Sequence, residues 1–129
     1  METTKVITPY FENGVFAGVR VTLGDEDFVI APKDFQNGKE MTWQEAMDAL
    51  KADNLSTWDY RQICFTLAYK EEIDKVLEDN GADNLQNGYW TGDEFSLYSV
   101  FIYYGFSRRL DYHDKMSIFS IRAIKNLKK

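Results

Sequence analysis

The run Val15 to Leu23 alternates without interruption between two faces. Val15, Ala17, Val19, Val21 and Leu23 fall on one side, and Phe16, Gly18, Arg20 and Thr22 on the other. A period of two is the geometry of a strand with one buried face, and a helix cannot present it. The polar stretch Gly24-Asp25-Glu26-Asp27 reads as a turn, after which Phe28-Val29-Ile30-Ala31 resumes extended. A β-hairpin is therefore predicted, with Val6-Ile7 as a short strand before it. Pro32 and the Asn37-Gly38 pair end the unit.

Helical spacing takes over next. Thr42-Trp43-Gln44-Glu45 has the form of a capping box, and Trp43, Ala46, Met47 and Leu50 follow as one apolar stripe. Residues 60–67, YRQICFTL, place Ile63, Phe65 and Leu67 at period two and read as extended, with a helix as the alternative. A second helix is predicted from Tyr69 to Asn80. Ile73, Val76 and Leu77 form its inner face, Glu71 and Lys75 pair along it, and Gly81 stands where a left-handed residue ends it. Asn87-Gly88 opens an aromatic second half. Val100–Tyr104 is a predicted strand, Gly105 a turn, and Ile118–Leu127 a final strand. Strands, then two helices, then strands make an α+β fold with antiparallel sheets. With 129 residues the chain is the size of one domain: a hairpin over 1–35, helices over 42–80, and strands and loops over 89–127.

Most catalytic chemistry lacks its residues. Cys64 is the one cysteine, so an internal disulfide is impossible; within Ile63-Cys64-Phe65 it reads as a buried, inert thiol. His113 is the one histidine, in the polar stretch Asp111-Tyr112-His113-Asp114, and a solvated loop is expected there. No histidine-based metal cluster, zinc spacing or phosphate-cradling glycine loop is present, so neither a metal nor a cofactor is expected. Asp25-Glu26-Asp27 is too compact for a calcium loop. Asp93-Glu94 is the remaining carboxylate pair, and a hydrolase built on it ranks behind a binding role. METTKVITPY has no basic segment followed by an apolar stretch, and no run approaches the roughly 18 apolar residues of a membrane span. A cytoplasmic or virion location is expected ahead of secretion.

Charge and aromatic content point to recognition. The net charge is −6, yet from Phe101 onward Arg108, Arg109, Lys115, Arg122, Lys125, Lys128 and Lys129 face only Asp111 and Asp114. An acidic body argues against general nucleic-acid binding, while the basic end leaves room for a local anionic contact. The same region holds Tyr98, Tyr103, Phe106, Arg108, Arg109, Tyr112 and His113. Rigid rings with arginine are the residue types that anchor interfaces. Because Val100–Tyr104 alternates, either Tyr103 or Tyr104, but not both, is expected at the surface.

The order of motifs resembles bacterial proteins of C-type-lectin-like fold, the group of formylglycine-generating enzymes, retroelement variable proteins and major-paralogous-domain proteins. The residues that carry the resemblance are Thr42-Trp43-Gln44-Glu45-Ala46-Met47, Leu67-Ala68-Tyr69-Lys70-Glu71-Glu72-Ile73, Tyr89-Trp90-Thr91-Gly92-Asp93-Glu94 and Ile121-Arg122-Ala123-Ile124. Ala68-Tyr69 replaces a usual Pro-Thr, and with only Cys64 the copper-dependent cysteine chemistry of the enzymes does not carry over; the calcium-dependent sugar motifs are also absent. The resemblance implies paired terminal strands, two helices packed on the sheet, Trp90 in the core, and an irregular presented face between Trp90 and Ile118. The expected function is thus a non-catalytic, calcium-independent module that binds a protein or glycan through residues 95–115. The alternative is a structural or assembly protein of a phage or mobile element, using the same patch as a homo-oligomer interface.

Overall fold

In the computed structural model, which describes residues 5–127, the hairpin grows into a meander of three strands. β1 (Lys5–Glu12), β2 (Val15–Leu23) and β3 (Glu26–Ile30) pair antiparallel in that order. The first strand is longer than Val6-Ile7 because Asn13-Gly14 closes a two-residue turn with φ of 52° and 80°. Both central residues of such a turn need positive φ, which Asn-Gly supplies, and its twist matches the flanking strands. A short C-terminal strand completes the sheet on the far side of β3. It is the last of seven, β7 (Ile124–Asn126), and pairs antiparallel with β3.

The predicted long final strand does not form. Phe119, Ser120 and Ile124 make isolated bridges to Met41, Tyr89 and Ser56, so the chain up to the start of β7 is held by single bridges and not by a continuous ladder. The terminal strands are not paired with each other either: β7 lies beside β3, with two strands between it and β1.

Three helices form where two were expected. α1 (Trp43–Ala52) begins with the predicted capping box: the Glu45 N–H donates to the Thr42 hydroxyl and the Thr42 N–H to the Glu45 carboxylate. α3 (Lys70–Asp79) keeps its inner face of Ile73 and Leu77, and Gly81 at φ 73° follows it. Its ion pairs differ from the expected Glu71–Lys75 contact. Lys75 reaches Asp79, Glu71 reaches Arg108, and Lys70 pairs with Asp74 in the interior.

The extra helix is α2 (Tyr60–Ala68), over the segment read as extended. Asp59 and Gln62 form a second reciprocal capping box at its start. The buried side chains Gln62, Ile63 and Thr66 are helically spaced, whereas Phe65, which supported the period of two, is only partly buried, under the Arg61 guanidinium.

The second sheet is β4 (Tyr89–Glu94), β5 (Ser99–Tyr104) and β6 (Arg109–Asp114), all antiparallel. Strand alternation splits its side chains between two cores. Tyr89 and Tyr103 join Val19, Val21, Phe28, Ile30, Trp58, Ile63, Ile73 and Leu77. Trp90, Val100 and Ile102 face the other way, onto Ala46 and Leu50 of α1 with Met41 and Ile121. The molecule is therefore mixed α+β, two antiparallel sheets and three helices, and this second sheet is packed on both sides over its inner half.

Candidate binding surface

On the face that carries Phe101, the outer half of that sheet is uncovered, while Val100 on the other face stays buried in the second core. Register between β4 and β5 slips, so that Trp90 stands opposite Ile102 but Glu94 opposite Val100. The intervening Thr91-Gly92-Asp93 bulges toward α2, where the Gly92 N–H donates to the Trp58 carbonyl at 2.7 Å and the Tyr60 N–H donates to the Asp93 carboxylate. Bulges of this kind re-aim side chains at sheet rims. Here the contact brings α2's first residue to the sheet, and the Tyr60 ring rests 5.4 Å from Phe101.

From Phe101 the rings continue. Phe101 is the cross-strand partner of Tyr112, Phe95 meets Phe101 edge-on at 5.4 Å, and Phe95 stacks on Tyr112 at 4.0 Å with planes 8° apart. Each such pair is worth about 0.5–1.5 kcal/mol beyond its buried area. Even so, Tyr60, Phe95 and Tyr112 remain 48%, 49% and 49% exposed. Leu97 and Tyr98, in the turn that follows Phe95, are more exposed still. The Lys115 N–H donates to the Tyr98 carbonyl at 2.9 Å, and next to it Met116 stands in solvent. The result is an aromatic ridge that continues off the end of the sheet as an apolar rim.

Of the residues expected to bind, Tyr98 and Tyr112 lie on this ridge. Tyr103 does not. It has no exposed surface, packs 5.0 Å from Trp58 and 6.4 Å from Tyr89, and its hydroxyl has no hydrogen-bond partner among the described residues. Tyr103 shares a sheet face with Phe101, but two residues further along that face passes under the core, so Tyr103 is a core residue and not the surface residue expected. Tyr104, its neighbour, is half-buried on the opposite face, and burial raises its phenol pKa.

That opposite face also takes Arg109 and His113. The Arg109 guanidinium lies 4.5 Å over the Tyr104 ring, the Tyr104 hydroxyl is 2.9 Å from His113 Nε2, and the His113 ring packs 5.0 Å from Phe119. His113 is accordingly a packed strand residue and not a solvated loop side chain. Phe106 and Arg108 occupy the β5–β6 turn. Phe106 is exposed, while Arg108, in a left-handed conformation at φ 59°, reaches Glu71 of α3 at 3.3 Å. The expected set thus divides among the ridge, the opposite face, a turn and the core. The segment is also regular, a hairpin between two turns, where an irregular presented face was expected.

Tyr60, Phe95 and Phe101 complete the ridge; Phe95 and Phe101 lie in the expected segment 95–115 but not among the residues singled out there, and Tyr60 lies outside it. Their proximity depends on the β4–β5 register slip and on the docking of α2, neither of which is written in local spacing. Both members of the carboxylate pair are engaged: Asp93 accepts from the first turn of α2 and Glu94 pairs with Lys115. Among the described residues, the basic side chains of the C-terminal region are met by acids, most of them from elsewhere in the chain. Arg108 pairs with Glu71, Arg109 with Asp111, Arg122 with Asp34, and Lys125 with Glu12, whose carboxylate raises the Lys125 pKa. The hairpin carboxylates are met likewise, Asp25 and Glu26 by Arg61 and Asp27 by Arg20.

Cys64 is half-buried beside the first core. Among the described residues no group of three or more His, Cys, Asp and Glu side chains gathers where one ion could sit. No helix among them is long and apolar enough to cross a membrane. The chain matches no protein-family model and no curated protein sequence.

Proposed function

We propose that this protein is a non-catalytic binding module of lectin-like fold that holds a protein or glycan ligand on the ridge of Tyr60, Phe95, Tyr98, Phe101 and Tyr112. The observation that carries the reading is the continuous contact from Tyr60 through Phe101 to the Phe95–Tyr112 stack, half in solvent. Scattered exposed apolar residues are ordinary, but a contiguous patch marks an interaction site. Ring faces and edges suit both the C–H faces of a sugar and the aliphatic parts of a protein surface. Rings already stacked on each other have little rotamer freedom left to lose on binding. The buried Trp90 and the helix start at Thr42 support the lectin-like reading, as does the order of motifs along the chain.

The test is a triple substitution, Phe95→Ala, Tyr98→Ala and Tyr112→Ala, assayed on a glycan array and against a displayed peptide library. The wild-type chain should select a ligand, and the variant should bind it at least about 30-fold more weakly, the loss expected of hot-spot rings. Its melting temperature should stay within a few degrees. A variant that binds as well as wild type, or a wild-type chain that selects nothing, would sink the reading.

One feature favours a second reading as an assembly protein. Leu97 and Met116 add exposed aliphatic surface in and beside the turn that follows Phe95, as a homo-oligomer interface would. Light scattering over a concentration range separates the two, because a stable oligomer dispersed by the same triple substitution selects assembly.

A further inference from the structure

The outer face of the four-stranded sheet carries a concavity of about 390 Å³ that shares no residue with the ridge. Its floor is Ala17, Val29, Ala31 and Ala123, with Leu55 as a wall. The floor owes its depth to small side chains and to a bulge. Tyr10 pairs with Gly18 and Phe11 with Phe16, which leaves Ala17 as the extra residue. Gly18 makes this possible: at φ +136° a Cβ would lie 2.2 Å from the Ile30 carbonyl oxygen. A larger side chain at 17, 31 or 123 would fill the space.

The rim is polar and unbalanced. Glu12 and Lys125 bridge across it at 2.5 Å, so that pair is internally neutral. Asp53 and Asn54 form another part of the rim. Asp53 is the C-cap of α1, where the helix's unpaired carbonyls already concentrate negative potential. A carboxylate at that end is unfavourable for the helix by itself, with Lys51 in the last turn as the only basic residue there. Tyr10 adds a ring at the rim. The volume falls within the range of small-molecule sites, which pair apolar walls with a few polar groups.

We propose that this concavity binds a small amphipathic amine, its apolar body on the alanine floor and its ammonium group at Asp53. A neutral head group gains nothing from the exposed Asp53 carboxylate at the helix end, and an anionic one would be repelled by it. The wall chemistry selects an aromatic or short alkyl body.

The experiment is an NMR titration of the full chain at neutral pH with phenethylamine, phenethyl alcohol and phenylpropionate, which share a body and differ in the head group. Amide shifts at Val29, Ala31 and Ala123 should saturate with the amine. Affinity for the amine should exceed that for the alcohol about 5-fold, the effect of one surface charge pair, with the acid weakest. In Asp53→Asn the amine should fall to the alcohol's affinity while the alcohol is unchanged. Ala17→Leu should remove binding of all three. Shifts confined to the ridge, no saturation at millimolar amine, an acid or alcohol that binds as well as the amine, or an unchanged preference in Asp53→Asn would each overturn the proposal. Because the two surfaces share no residue, the ridge triple variant should bind the amine normally, so failure here is distinct from failure of the ridge reading.

Discussion

Arg122 has no exposed surface, yet its guanidinium meets five acceptors: the carbonyls of Ala31, Asp83 and Asn84, the Asp34 carboxylate and the Tyr89 hydroxyl. Tyr89 in turn donates to Asp34 at 2.6 Å and accepts from the Gln86 N–H. One planar cation thus joins the end of β3 to the loop before β4. Arg122→Met should cost about 3–5 kcal/mol, since Asp34 and three carbonyls lose their donor at once. Urea unfolding measures it, and a loss below about 1 kcal/mol would show the network to be dispensable. Tyr103 gives the opposite case. Its orphan hydroxyl contributes nothing to offset its burial, so Tyr103→Phe should leave stability unchanged or raised by a few tenths of a kcal/mol. Ridge binding should also be unaffected, which checks the removal of Tyr103 from the site. Neither role could be read from the sequence. Arg122 counts there as one more basic residue near the C-terminus, and only the convergence of carbonyls from distant loops explains why it is buried.

At the level of elements, local chemistry was legible wherever one signal dominated. The β2 alternation from Val19 onward, the Thr42 capping box and the inner face of α3 formed as their spacing required. The Val15–Leu23 pattern nevertheless conceals a break. The bulge at Ala17 shifts which residues face inward, so Phe16 packs on the core while Val15 is exposed. Gly18 was the available sign, because an isolated glycine within a strand often marks a bulge. Gly18→Ala should therefore cost about 3 kcal/mol, combining left-handed strain with the collision at Ile30, and thermal unfolding gives the measurement. An innocuous alanine would mean the bulge can slide. α2 was misread for a different reason. Its start is marked by a capping box of Asp59 and Gln62 and not by apolar spacing, and the cation over Phe65 lets that ring stay partly in solvent. Asn13-Gly14 was likewise a readable turn signal that extends β1.

On the scale of the molecule, the second sheet joins the two cores, and its tyrosines make stability sensitive to alkali. Coarse α+β order followed from the succession of patterns, but the ridge and the concavity did not, since each needs strands brought together in a particular register. Burial of Tyr89 pushes its phenol up to about 12 from 10.0, and burial raises Tyr103 as well. A raised pKa in the folded state means the unfolded chain loses its phenol protons first. Stability from these groups is thus fully present below pH 10 and falls as pH climbs toward 12, by up to about 1.4 kcal/mol per pH unit for each tyrosine. Lys5 and Lys125, raised by their hydrogen bonds to Glu72 and Glu12, change in the same direction and have no buried contribution to lose. Urea midpoints measured from pH 9 to pH 12 should hold level and then drop, and Tyr103→Phe should make the drop shallower. A midpoint that stays level through pH 12, or an equal drop in the Phe variant, would mean that the phenols between the two cores reach solvent without unfolding and that the sheet is more loosely packed than its contacts indicate.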